Sequence, residues 1–233
     1  MGAATRAVNG SAKILWHYKN HRRLKWGKSA VFRQIVTANG GYGVKDGLRR
    51  DTKAIARALV ARFGSFANVI AAPLHELEEI ENVGRAGIAA IKTVQAATLR
   101  FGRAEVMHQP VLNNWDRLMD YLNAALARER VEHFRILFLD NRNRLLADEA
   151  QARGTVNHTP VYPREVVKRA LELSASAVIL VHNHPSGDPT PSTQDVKMTL
   201  DIIAVAAPLG VAVHDHIIVG RQGHVSLKGL KLI

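Results

Sequence analysis

Two histidines two residues apart, His182 and His184, follow an unbroken apolar run, Ala177–Val181. If that run is a strand, residues i and i+2 project to one face, and both imidazoles point together where the sheet meets solvent. Imidazole nitrogen and carboxylate oxygen are what zinc takes when thiolates are missing, and the chain contains no cysteine. A carboxylate follows closely. The stiff turn Pro185–Pro191, with Gly187 as its one glycine, returns the chain to a helix starting near Ser192, and Asp195 lies in that helix's first turn. His182, His184 and Asp195 are therefore expected to hold one Zn2+ per chain. Three protein ligands leave a fourth tetrahedral position for water, which marks a catalytic rather than a structural site.

The same residues admit plainer readings. Ser192 and Asp195 fit a capping box, in which both side chains satisfy backbone N–H groups at a helix start. An isolated His-x-His on a strand is more often structural, and His214-Asp215-His216 repeats the spacing without the flanking turn. What favours the metal is the combination of two histidines, a constrained turn, Ser192 and Asp195 within fourteen residues.

The elements that must position this cluster can be read from periodicity. Asn114 is expected to cap a helix over Trp115–Leu126 with Leu118, Tyr121, Leu122 and Ala125 on one face. His133–Leu139 reads as a strand, Asp140–Asn143 as a turn and Leu145–Thr155 as the returning strand. Pro163 opens a helix backed by Val166, Val167, Ala170 and Leu171. A further amphipathic helix spans 193–207, and Val211–Val213, Ile217–Val219 and His224–Ser226 read as short closing strands. Strands alternating with helices predict an α+β domain of α/β-like character over 111–233, one mixed sheet flanked by helices.

Upstream, 51–107 reads as a helical module. Asp51 caps a helix whose apolar face is Ile55, Ala58, Leu59 and Phe63; Gly64 ends it; Ser65 and Pro73 start two short helices; and a long one runs from Ile88 to about Phe101. His108-Gln109-Pro110 is the expected linker to the second domain. Residues 1–50 carry eleven Lys/Arg against the single acid Asp46, a balance of +10, whereas 51–110 and 111–233 are each close to neutral at +1. Most of the chain's +12 thus sits in a basic arm, which is expected to be partly disordered with one helix around Ser29–Thr37. Such an arm attracts polyanions, phosphate backbones first among them. Val83-Gly84-Arg85-Ala86-Gly87 adds a glycine hairpin between helices, where Gly84, Arg85 and Gly87 can bring backbone N–H groups close to a phosphate. A tight turn needing glycine only for backbone freedom explains it equally. No run of 18 apolar residues and no secretory signal pattern is present, so a cytoplasmic protein without membrane contact is expected.

The run His182-x-His184-x7-Ser192-x-x-Asp195 resembles the JAMM (MPN or JAB) metalloprotease signature, and the full stretch from His182 to Ser192 resembles the bacterial RadC family. Pro163–Leu173, Leu137–Asp140 and Asp215–Gly220 match as well; the likeness covers about Asp51 to the C-terminus and is most specific over 131–220. It implies a helix-hairpin-helix region followed by a JAMM domain, with zinc on His182, His184 and Asp195. Ser192 would stabilise the oxyanion, and an upstream glutamate would be general base, with Glu132 the better match and Glu149 the rival. The expected activity is hydrolysis of a peptide or isopeptide bond. The alternative is a nucleic-acid-associated protein whose metal site is vestigial or structural. One departure stands out: before Arg49-Arg50-Asp51-Thr52-Lys53 the family has a leucine-rich, acidic helical segment, and here 26–48 is basic and glycine-rich.

Overall fold

The computed structural model describes residues 52–153 and 161–233. The basic arm, the helix expected around Ser29–Thr37, the cap at Asp51 and the end of the second strand at Thr155 lie outside the described residues. The chain divides into two compact units between Ile91 and Lys92.

In the first unit, α1 (Thr52–Phe63) is followed by Gly64 at φ +80°, a left-handed position that suits glycine. Ser65 then caps α2 (Phe66–Ala71) by accepting from the Asn68 amide at 3.2 Å. After Pro73 comes the short α3 (Leu74–Glu78), and a turn with Asn82 at φ 66° leads into α4 (Arg85–Val106). Ala56, Leu59, Val69, Leu77, Ile88 and Ile91 form the core. On α1 the buried face includes Ala56 rather than the expected Ala58, which is exposed. The helix expected from Ile88 begins three residues earlier, so Arg85 to Gly87 are its first turn and not a free hairpin.

The second unit is α+β. Its sheet has the order β2-β1-β3-β4-β5, built from β1 (His133–Leu139), β2 (Leu145–Arg153), β3 (Ala177–Asn183), β4 (Ala212–Gly220) and β5 (Gly223–Ser226). Only the β3–β4 pair is parallel; the others are antiparallel, which makes the sheet mixed. Helix α5 (Trp115–Leu126) covers one face, where Leu118, Leu122 and Leu126 meet Leu137, Leu139, Ile179, Val181 and Ile217. Helices α6 (Pro163–Glu172) and α7 (Thr193–Ala206) cover the other, where Val166, Ala170 and Ile202 meet Ile136, Phe138, Val178 and Leu180. The period-2 alternation along β1 and β3 thus sorts their side chains between two cores, and each fully buried Leu or Ile contributes about 1.5–3 kcal/mol.

Three expectations change. The stretch read as a linker is stitched to β2: His108 N–H donates to Leu145 O at 2.9 Å and Leu145 N–H to Gln109 O at 3.2 Å. Pairing with a distant strand satisfies backbone groups that a linker would leave to water. Asn114 occupies the N-cap position of α5 but makes no side-chain capping bond; its side-chain amide donates back to Pro110 O at 3.1 Å, across the 3-10 turn over Val111–Asn114 that precedes the helix. The segments read as two closing strands are one strand, β4, continuous through His214-Asp215-His216. Among the described residues no helix is long and apolar enough to cross a membrane.

Candidate metal centre

Strand β3 runs two residues further than its apolar run predicts and ends at Asn183. His182 is therefore still within the sheet, 1% exposed, on the face that α7 covers. His184 sits just past the strand end, yet its N–H still donates to Val219 O at 3.0 Å. The turn after it is locked on the end of β4. Gly187 has φ +96°, and a methyl group on Gly220 would lie 2.3 Å from Gly187 O. The Arg221 guanidinium donates to Ser186 O at 2.8 Å. This lock places the start of α7 over the histidines.

Asp195 reaches them from that helix start. Its carboxyl oxygens lie 3.4 Å from His182 Nε2 and 3.6 Å from His184 Nε2, and the two Nε2 atoms are 3.0 Å apart. Ligand atoms on a tetrahedron around zinc stand about 3.3 Å apart for bonds of about 2.0–2.1 Å. One ligand atom from each of the three side chains lies within 4.8 Å of the others, a spacing at which the group could hold one metal ion. The ring of His184 is turned by Asp188 O, 2.8 Å from Nδ1. A carbonyl only accepts, so Nδ1 carries the hydrogen and Nε2 faces Asp195.

The capping box expected at Ser192 and Asp195 is present too. Ser192 Oγ accepts from Asp195 N–H at 3.1 Å, while Ser192 N–H donates to Asp195 Oδ2 at 2.7 Å. Ser192 Oγ–H also donates to Oδ2, at 2.7 Å. Oδ2 thus holds the helix start, and Oδ1 is the oxygen turned to His182.

Burial lowers the pKa of His182 to about 4, against the opposing pull of Asp195. Asp195 itself is pushed up by burial, but His184, His182 and the Ser192 donors hold it well below the usual carboxylate range. The Asp195 carboxylate raises His184, with burial opposing and the charge of Glu132 adding to the rise. Glu132 is thus close enough for its field to reach His184. It is half-buried, directly before β1.

Glu149 is placed differently. It lies opposite Ile136 on β2 and forms a two-bond ion pair with Arg169 of α6, at 2.8 and 2.6 Å. The hydrogen bonds from Arg169 lower its pKa. Gly84, Arg85 and Gly87 belong to α4 and the turn before it, outside this cluster.

Several residues at the centre escaped the sequence reading. Asn183, between the two histidines, is 1% exposed. Phe134 stacks on His182 with ring centroids 6.0 Å apart. His216 Nε2 lies 2.7 Å from His182 Nδ1, and Thr199 Oγ1 lies 2.6 Å from His216 Nδ1. The available signal was parity: β3 and β4 are parallel neighbours with Leu180 opposite His216, so His216 shares the face of His182. A family model described as the RadC-like JAB domain matches residues 112–232.

Proposed function

For a chain that belongs to the RadC family, with a JAB domain over 112–232, we propose a zinc-dependent hydrolase of peptide or isopeptide bonds. The observation that carries the proposal is the convergence of His182, His184 and Asp195 within 4.8 Å. A zinc ion held there would act as a Lewis acid and lower the pKa of bound water from about 15.7 to near 7.

The chain's own residues divide the remaining work. Glu132 is the general base that takes a proton from the attacking water and delivers it to the leaving amine. The reach of its charge to His184, and the engagement of Glu149 by Arg169, support that choice. Ser192 is the donor to the developing oxyanion. Its hydroxyl hydrogen lies on Asp195 Oδ2, so the role requires that hydrogen to rotate, while the Ser192 N–H keeps Oδ2 in place. An oxyanion donor of this kind contributes about 2.7–4 kcal/mol in other enzymes.

We also place DNA contact in the N-terminal half. A methyl group at Gly84 would meet nothing within 4 Å, and one at Gly87 only Val83 Cγ1 at 3.9 Å, so the chain itself does not demand glycine at either position. With the +10 arm, this supports a hydrolase directed to nucleoprotein.

The test is metal content and peptide hydrolysis by the purified full chain. One zinc per chain is expected, lost in His182→Ala. Glu132→Gln retains zinc and loses hydrolysis; hydrolysis surviving in that variant excludes Glu132 as the base.

A further inference from the structure

Thr199 and His216 are fully buried beneath the candidate centre, each 0% exposed, on α7 and β4, and the reaction above gives them no role. We propose that these two residues fix the tautomer of His182, so that its Nε2 presents a lone pair to the metal; they are positioning residues of the metal centre. The purpose assigned to them rests on the metal-hydrolase reading, but the hydrogen-bond order does not.

That order follows from one group that cannot donate. Thr199 Oγ1 lies 2.6 Å from the backbone carbonyl oxygen of Asp195. The carbonyl only accepts, so the hydroxyl gives it its single hydrogen. Toward His216 Nδ1, 2.6 Å away, Thr199 Oγ1 can then only accept, and Nδ1 must carry a hydrogen. A neutral imidazole has one N–H, so His216 Nε2 is a bare acceptor. It faces His182 Nδ1 at 2.7 Å, which must therefore be the donor. The one N–H of His182 is used there, and its Nε2 is left bare beside His184 and Asp195.

Both rings are buried, 1% and 0% exposed, where desolvation favours the neutral imidazole. Running the hydrogens the other way would put an N–H on His182 Nε2, where a metal must bind. It would also leave two oxygen lone pairs facing each other across 2.6 Å at Asp195 O. Phe134 packs on both rings, stacked on His182 at 14° and edge-on to His216 at 5.6 Å. The relay therefore begins and ends on one residue: the Asp195 carbonyl sets the direction, and the Asp195 carboxylate completes the ligand set.

The experiment combines zinc affinity, read by chelator competition, with the histidine tautomers of the 15N-labelled full chain. His182 is identified by the signal missing from His182→Gln. The metal-free wild type is expected to carry its proton on His182 Nδ1. Thr199→Val keeps the shape and removes the hydroxyl; it is expected to lose the single tautomer and to weaken zinc binding about 10- to 100-fold, the usual cost of an outer-shell partner. Thr199→Ser restores both, and His216→Phe, which keeps a ring but no acceptor, loses both. Wild-type zinc affinity in Thr199→Val and His216→Phe overturns the relay while leaving the metal site intact. So does a proton on His182 Nε2 in the wild type, a result that needs neither relay variant to fold. If the wild type binds no zinc, the hydrolase reading fails, and the metal-free tautomer still decides the relay.

Discussion

The side-chain amide of Asn183 brackets Glu132 on both sides: it donates to Val131 O at 3.1 Å and accepts from His133 N–H at 2.9 Å. A residue inside the His-x-His pair thus holds the backbone of the proposed base, and it also donates to Glu129 O at 3.4 Å. Asn183→Ala removes all three bonds, and leaving the part-buried His133 N–H without its acceptor costs up to about 1–3 kcal/mol. The expected result is a chain that still binds zinc through His182, His184 and Asp195 but has lost most hydrolysis, with kcat falling more than KM changes. Equal loss of zinc would show that Asn183 serves the ligands and not the base.

Gly220 and Gly187 make the closest approach that the turn carrying the second ligand depends on. In Gly220→Ala the new methyl would lie 2.3 Å from Gly187 O and 2.8 Å from Gly187 C, both backbone atoms that cannot swing aside. Overpacking of this kind costs about 1–3 kcal/mol, so thermal unfolding should move down by several degrees and zinc affinity should fall with it. Gly210→Ala is the comparison: φ is +72° but nothing lies within 4 Å, so its cost is strain alone and zinc affinity is unchanged. Equal effects of both substitutions on zinc would remove the lock from the account.

Glu149 provides a discriminating control for the base and a pH signature. Held by Arg169, its pKa lies below the ordinary 4.5. A carboxylate depressed on folding adds stability above its unfolded pKa and loses it as pH falls through the folded one. Glu149→Gln should therefore lower stability at neutral pH only slightly, since the pair is partly exposed. It should flatten the decline in stability below about pH 4.5, and it should leave hydrolysis intact. Loss of hydrolysis with zinc retained would transfer the base role from Glu132.

Gly87 separates a phosphate cradle from an ordinary helix start. Within α4 an alanine is favoured over glycine by about 0.5–1 kcal/mol, and the site has room for the methyl. Gly87→Ala should thus be at least as stable as the wild type while binding DNA more weakly in a salt-dependent assay. Unchanged DNA affinity would leave the turn with no part in contact to phosphate.

The parts of this fold set by local periodicity were legible in the sequence: β1, α5 and α6 lie where the apolar spacing puts them. So was the convergence of His182, His184 and Asp195, because the three are close in sequence and their turn is stiff. What was not legible depends on partners far along the chain. Polar residues suggested a break in β4 at His214-Asp215-His216. The strand continues because Asp215 accepts from Ser226 Oγ at 2.6 Å and from the Lys228 N–H at 3.1 Å, and His216 joins His182. The linker misreading has the same origin, since Leu145 supplies the missing partners for 108 and 109.

If Asp195 holds the metal as proposed, its double duty has a consequence for telling copies of this domain that keep a metal from copies that have lost it. Its Oδ2 anchors the first turn of α7 through Ser192, so a descendant that abandoned chemistry would still gain from keeping both residues. His184 has no such second employment: beyond the carboxylate and the neighbouring ring, its side chain touches the carbonyl of Asp188 in an exposed turn. The second histidine, not the aspartate, is therefore the residue whose replacement would announce that the centre had fallen out of use.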